Sequence, residues 1–133
     1  MPKVVLQTIA LPAAPRTLYA MYLDAERHAA FTGGGAARIS GTAGSEWSAF
    51  DGRIHGRMLA VVPDRLIVQS WRSFEWQEDD LDAVLVLSFW PEAAGGRIEL
   101  TQANVPDTLY QNLVAGWPVR YWEPWRAYLE RGR

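Results

Sequence analysis

The sequence predicts an α+β fold: a curved antiparallel sheet of six or seven strands that wraps around a long C-terminal helix, with two short helices after the first strand. In the middle of the chain, short runs rich in β-branched and aromatic residues alternate with turn signals such as Pro63-Asp64, which is typical of antiparallel strands. After Pro106, large apolar residues recur every four positions, the spacing of one helix face. The sheet and this helix must bury their apolar faces against each other.

The start of the chain is predicted to form one strand and two short helices. The strand covers residues 3–11 and ends before Pro12. Pro15 suits the first turn of a helix, and Asp24 is predicted to cap a second helix that runs to Phe31 and ends in a run of three glycines. No GxGxxG motif or Walker lysine accompanies these glycines, so they do not indicate a nucleotide site.

Several further strands follow, and one of them places an amide inside the protein. In the strand around Trp71, alternation puts Ile67, Gln69 and Trp71 on one face, which the large indole marks as the interior. Asp51-Gly52 is a hairpin signal between two earlier strands. The other predicted strands are residues 37–40, 46–50, 53–62, 83–90 and 97–104.

The C-terminal helix is predicted to span about residues 107–131. Thr108 and Gln111 have the spacing of a capping box at its start. Pro118 and Pro124 have no backbone N–H to donate, so a kink or restart is expected near Gly116. Its apolar stripe consists of Leu109, Leu113, Trp117, Tyr121 and Trp125.

Composition narrows the function classes. The 133 residues suit one domain, expected to span residues 1–133, and the net charge of −2 with scattered basic residues gives no footprint for nucleic acid. The absence of cysteine excludes disulfides and thiol catalysis. No apolar run approaches about 18 residues, so membrane insertion is not expected. We expect a soluble cytoplasmic protein that is a monomer or a weak homodimer.

The titratable residues give no catalytic or metal motif. His28 lies four residues after Asp24 and is predicted to lie on a solvated helix surface, while His55 is predicted to be exposed. The acidic run at residues 78–82 lacks the calcium-loop pattern and is predicted to be a solvated loop. No HExxH motif or nucleophile with a nearby base is present. No catalytic residue, metal or cofactor is therefore predicted, and the protein is more readily explained as a non-enzyme.

The candidate site is the interior between the sheet and the C-terminal helix. Three interpretations stay open: a packed core whose two amides bond to protein or water, a cavity in which aromatic residues and a few polar groups hold a small hydrophobic or amphipathic ligand, or a catalytic cavity. Acid–base catalysis there would have to recruit Tyr121 or an acid from the acidic loop. The predicted pocket residues are Met58, Ile67, Gln69, Trp71, Leu87, Phe89, Leu100, Gln102, Trp117 and Tyr121.

Four motifs resemble a known family. They are Ser45-x-x-x-x-Phe50-Asp51-Gly52-x-x-x-Gly56, Ile67-Val68-Gln69-x-Trp71-Arg72-x-x-x-Trp76, Val105-Pro106 and Gly116-Trp117-x-x-x-Tyr121-Trp122. In these motifs the chain is similar to the heat-shock protein 90 ATPase activator homologues of the SRPBCC (START-like) superfamily. The resemblance implies the helix-grip fold and a ligand held between sheet and helix. It also implies an alternative, a protein-interaction module of the stress response with a chaperone as its partner.

Overall fold

Six antiparallel strands form one curved sheet in the computed structural model of the protein, which describes residues 1–132. The strand order is β1-β6-β5-β4-β3-β2. The α+β prediction is confirmed with six strands; of the predicted strand at residues 37–40, only Arg38 pairs, in a single bridge with Ser48. The strands are β1 (Lys3–Leu11), β2 (Glu46–Ala49), β3 (Ile54–Val62), β4 (Leu66–Ser73), β5 (Ala83–Glu92) and β6 (Gly95–Val105).

The two short helices follow β1 as predicted. They are α1 (Pro15–Leu23) and α2 (Ala25–Thr32). The Asp24 carboxylate accepts a hydrogen bond of 3.0 Å from the backbone N–H of Arg27, which caps α2. At its other end, Gly33 adopts a left-handed φ of 65°, a conformation that glycine reaches without a Cβ clash. The sequence therefore predicted both ends of α2.

The C-terminal helical segment contains a π-helical turn. A 3-10 turn (Asp107–Leu109) leads into α3 (Tyr110–Trp117), then the π-helical turn (Pro118–Trp122), then α4 (Glu123–Arg131). The predicted capping box is wrong: Leu109 is the N-cap of α3 and no side chain caps it. At the predicted break the helix continues with wider turns, in which the backbone N–H of Glu123 bonds to the Pro118 carbonyl.

One side chain of β1 compensates for the missing N–H of Pro118. In a regular helix that N–H would bond to the carbonyl of Val114. Here Nε2 of Gln7 donates to the Val114 carbonyl oxygen at 2.9 Å, and Oε1 of Gln7 accepts from the Trp122 indole at 2.7 Å. Gln7 thereby joins the sheet edge to both sides of the irregular turn.

The turn between β2 and β3 positions an aromatic residue against the C-terminal helix. Phe50, Asp51 and Gly52 have φ values of 55°, 59° and 85°, so the predicted hairpin closes through a left-handed turn. The Asp51 carboxylate accepts a 2.8 Å bond from the N–H of Ala36, and a Cβ at Gly34 would collide with the Phe50 ring. The glycine run lets the chain pass close to Phe50, which is buried.

The sheet's concave face carries the core. In β4 every second residue is buried, including Ile67, Gln69 and Trp71, as the sequence predicts. The outward-facing residues between them are only half-buried. Within residues 1–132, no helix is long and apolar enough to cross a membrane.

Candidate binding cleft

Seven of the ten predicted pocket residues lie in the packed interior. They are at most 2% exposed and are Met58, Ile67, Gln69, Leu87, Phe89, Leu100 and Gln102. Strand register aligns several of them, because Met58 pairs with Gln69, Gln69 with Leu85, and Leu85 with Gln102. The two interior amides therefore share one row across four strands, separated by a leucine.

Gln69 has protein partners on both sides of its amide. Its Oε1 accepts a 2.8 Å hydrogen bond from the Tyr22 hydroxyl, and its Nε2 donates to Sδ of Met58 at 3.3 Å. Thioether sulfur is a weak acceptor, so the bond from Tyr22 is the stronger of the two. The partner that a buried amide requires comes from α1.

Gln102 is bonded on one side only. Its Oε1 accepts from the indole N–H of Trp117 at 2.9 Å. Its Nε2 is buried and has no hydrogen-bond partner among the described residues. The indole nitrogens of Trp71 and Trp125 are likewise buried and have no hydrogen-bond partner among these residues. Buried donors without an acceptor are uncommon in folded proteins, and they indicate a place for water or a ligand atom.

The other three predicted residues line a cleft of about 430 Å³ beneath the C-terminal helix. Trp71, Trp117 and Tyr121 form its inner part. It lies between α3 with the π-helical turn on one side and the β2–β3 turn with the end of β4 on the other. The remaining lining residues are Phe50, Arg53, Ile54, Ser73, Phe74, Glu75, Asn112, Leu113, Ala115, Gly116, Val119 and Arg120.

Aromatic rings in contact make up the inner wall. The Trp117 and Tyr121 ring centroids are 4.8 Å apart, Phe50 and Tyr121 are 5.5 Å apart, and Trp71 and Trp117 are 6.3 Å apart. Trp71 is 4% exposed, and its buried indole N–H has no hydrogen-bond partner among the described residues. A mainly apolar surface with a few polar groups is the usual composition of a small-molecule site.

The outer part of the cleft carries charge and exposed apolar groups. Arg53, Arg120 and Glu75 lie there, and within residues 1–132 no carboxylate forms an ion pair with either arginine. Phe74 and Val119 are 72% and 64% exposed. The mouth is thus amphipathic, whereas the inner part is aromatic.

The predicted surface position of His28 is wrong, because the side chain is 0% exposed. Its Nδ1 lies 2.7 Å from the carbonyl oxygen of Tyr22, and its Nε2 lies 2.8 Å from the hydroxyl of Tyr121. Burial lowers the pKa of His28 from 6.5 to about 4, against the smaller opposing effect of the backbone bond to Tyr22. The imidazole is therefore neutral at neutral pH.

Two buried tyrosines also have shifted pKa values. Burial raises the pKa of the Tyr22 hydroxyl, and burial with the nearby Tyr22 raises that of Tyr121 well above 10, so both phenols stay protonated. His55 is exposed as predicted. The acidic loop remains largely exposed, with Asp82 bonded to Arg72 at 2.9 Å. Within residues 1–132, no three His, Asp or Glu side chains come together as metal ligands.

Sequence reasoning missed the contribution of α1 and α2 to the site. Tyr22 and His28 reach the core through bonds to residues far along the chain, and Phe31 stacks on Trp125 with centroids 4.1 Å apart. The available signal was the i, i+3 spacing of His28 and Phe31, which puts two rings on one helix face. Arg120 could have been found the same way, three residues after Trp117.

An antiparallel sheet that grips a C-terminal helix, with a cleft between them, defines a helix-grip protein. The chain belongs to the family described as Activator of Hsp90 ATPase homolog 1-like protein, whose model matches residues 12–130. The family membership and the helix-grip fold that the four motifs imply are thereby confirmed.

Three relatives illustrate the similarity. The chain is 29% identical over 87 residues to mouse Activator of 90 kDa heat shock protein ATPase homolog 2. The match covers 65% of this chain and 26% of the mouse protein, so the chain spans about a quarter of that relative's length. The crystal structure of an HSP90 activator from Plasmodium falciparum superposes with a TM-score of 0.82 at 19% identity, covering 98% and 96% of the two chains. The crystal structure of a Mesorhizobium loti protein superposes with a TM-score of 0.83 at 18% identity, covering 98% of this chain and 99% of that one. These two structures share the fold.

Proposed function

We propose that this protein is a non-catalytic binding module that holds a small hydrophobic or amphipathic molecule in the cleft between β4 and the C-terminal helix. The observation that carries the proposal is the cleft itself, about 430 Å³ in volume and lined inside by Trp71, Trp117 and Tyr121. This volume lies within the range of small-molecule sites, about 300–1,000 Å³.

Two features of the cleft wall favour a ligand over a filled core. The buried indole N–H of Trp71, a residue that lines the cleft, has no acceptor among residues 1–132, and buried donors in this state are uncommon in filled cores. Gly116 lines the cleft in mid-helix, and a Cβ added there would have no heavy atom within 4 Å. The helix therefore leaves open space where most residues would place a side chain.

The seven buried residues of the predicted pocket support the cleft from below. Gln102 connects the two layers, because its Oε1 holds the indole of Trp117 in place. Trp117 in turn stacks on Trp122 with centroids 5.5 Å apart. We assign to these residues the positioning of the aromatic wall and to Trp71, Trp117 and Tyr121 the contact with the ligand.

The experiment is a titration with phenylnaphthylamine, a neutral aromatic probe that fluoresces in apolar sites. The wild-type protein should bind it saturably and lose tryptophan fluorescence as it does so. Gly116→Leu should fill the cleft and abolish saturable binding. Ala127→Leu, the control, introduces a leucine at an exposed position of α4 and should bind the probe as the wild type does. Equal binding by the wild type and Gly116→Leu, or no binding by either, would overturn the proposal.

A second candidate function is interaction with a chaperone. It is favoured by the exposed Phe74 and Val119 at the cleft mouth, because large apolar groups at one exposed edge are typical of protein contacts. The family and the mouse relative, a heat shock protein ATPase activator homologue by name, give the partner's class. Capture of a purified chaperone of the 90 kDa heat-shock class, lost in the Phe74→Ser/Val119→Ser variant, would support it. No capture at micromolar concentration would exclude it.

A further inference from the structure

We infer that the molecule held in the cleft is an organic acid: an apolar body lies against the aromatic wall and its carboxylate or sulfonate lies between Arg53 and Arg120 at the mouth. The inference rests on the proposed binding function and adds the chemical class of the ligand. Both arginines line the same cleft as Trp71 and Trp117, so one small molecule can meet the rings and the charges together.

The guanidinium groups of Arg53 and Arg120 have no acidic partner in the described part of the chain. Elsewhere Arg72 bonds to Asp82 at 2.9 Å, and Arg97 bonds to Glu92 and Glu99 at 3.1 and 3.0 Å. For Arg53 and Arg120, no ion pair or side-chain hydrogen bond is found across residues 1–132. Their donors are therefore free for an anion, and a guanidinium fork fits a carboxylate or sulfonate in a two-point contact.

The positions of the two arginines in the cleft also favour an acidic ligand. Arg53 and Arg120 are exposed at the mouth, whereas the inner wall is buried. An acidic group held at the mouth keeps part of its hydration, so it avoids the large desolvation cost of a buried ion. The apolar body of the same molecule covers the aromatic rings, and its removal from water is favourable. The cleft is thus aromatic inside and positively charged at its mouth, which suits a ligand with an apolar body and an acidic end.

Glu75 lies on the same cleft and opposes an anion. The three charged lining residues sum to one positive charge, two arginines against one glutamate. The glutamate makes no ion pair with either arginine among the described residues, so both guanidinium groups keep their donors available for an anion. Glu75→Gln removes this opposing charge and should therefore strengthen the binding of an acid, which provides a second test.

The test compares two probes that differ by one acidic group: anilinonaphthalene sulfonate and its neutral parent phenylnaphthylamine. The sulfonate should bind the wild type more tightly. Each of Arg53→Gln and Arg120→Gln should weaken the sulfonate about two- to fivefold, the range for exposed ion pairs, and the double variant about tenfold. Neutral-probe binding should change less than about twofold in these variants. Added salt should weaken only the sulfonate.

A matched control removes two exposed arginines outside the cleft. Arg16→Gln/Arg65→Gln makes the same change in net charge and should leave the preference for the sulfonate intact. Each outcome has a separate meaning. If neither probe binds, the proposed function fails. If both bind equally, or if the control variant loses the preference as the cleft variant does, the binding function stands and the inferred acid is wrong.

Discussion

The hydroxyl of Tyr121 lies 2.8 Å from Nε2 of His28, and this contact joins α2 to the π-helical turn. The tautomer follows from the other ring nitrogen. Nδ1 lies 2.7 Å from the Tyr22 carbonyl oxygen, which only accepts, so Nδ1 carries the proton of the neutral ring. Nε2 is then the acceptor and the Tyr121 hydroxyl the donor. The same tyrosine ring forms the inner wall of the cleft, so this bond fixes the wall in position.

Burial of His28 makes stability depend on pH. Its pKa is about 4 in the folded protein and 6.5 in the unfolded chain, so between these values the unfolded state binds a proton that the folded state excludes. The free energy of unfolding should therefore decrease as pH falls from about 6.5 to about 4, by about 3 kcal/mol in total. Denaturant unfolding of the wild type and of His28→Gln measures this term as a difference.

That comparison removes the titration of the carboxylates, which both proteins share. The advantage of the wild type over His28→Gln should be largest above about pH 6.5 and shrink toward pH 4. A difference that stays constant across this range would mean that His28 has no lowered pKa, and the buried neutral imidazole would be wrong.

The two interior amides should respond differently to the same substitution. Gln69→Leu leaves the Tyr22 hydroxyl without an acceptor in the core and should cost about 1–3 kcal/mol. Gln102→Leu leaves the Trp117 N–H without its acceptor, but it also removes a buried amide nitrogen that has no partner among the described residues. These effects oppose each other, so this substitution should cost less than about 1 kcal/mol. Urea unfolding of both variants checks the order. Greater loss in Gln102→Leu would contradict the bonding described for these residues.

Gln7 should matter more than its partly exposed position indicates. Gln7→Leu removes the partner of the Val114 carbonyl and of the Trp122 indole, and should cost about 1–3 kcal/mol. Gln111→Leu, on the exposed side of α3, is the control and should stay within about 0.5 kcal/mol of the wild type. Equal stabilities of the two variants in thermal unfolding would show that the irregular turn does not depend on β1.

The fold and part of the site follow from local patterns in the sequence. Alternation in a strand sets the side-chain direction of Gln69 and Trp71, and the four-residue spacing sets that of Trp117 and Tyr121. His28 was missed for a physical reason: whether a polar helix residue is buried depends on a distant partner, here Tyr121, 93 positions away. The π-helical turn likewise has a distant partner, because Gln7 near the N-terminus bonds to the Val114 carbonyl oxygen.

Two glycines should respond in opposite ways to alanine. Gly116→Ala should raise stability by about 0.5–1 kcal/mol, because alanine favours the helix and its Cβ enters the open cleft. Gly56→Ala should destabilise, since its Cβ would collide with the backbone carbonyl of Ser70 on the neighbouring strand. Thermal unfolding compares them. Destabilisation by Gly116→Ala would indicate that side chains fill this part of the cleft.

The proposed binding function places a ligand against Trp71 and Trp117, and its most direct test is an NMR titration of the indole N–H signals with phenylnaphthylamine. The signals of Trp71 and Trp117 should shift together and saturate. The signal of Trp90 should stay in place, because this residue is 41% exposed and bonds to Ser88 on the outer face of the sheet. Shifts of Trp90 without shifts of Trp71 and Trp117, or no shifts at all, would contradict the account.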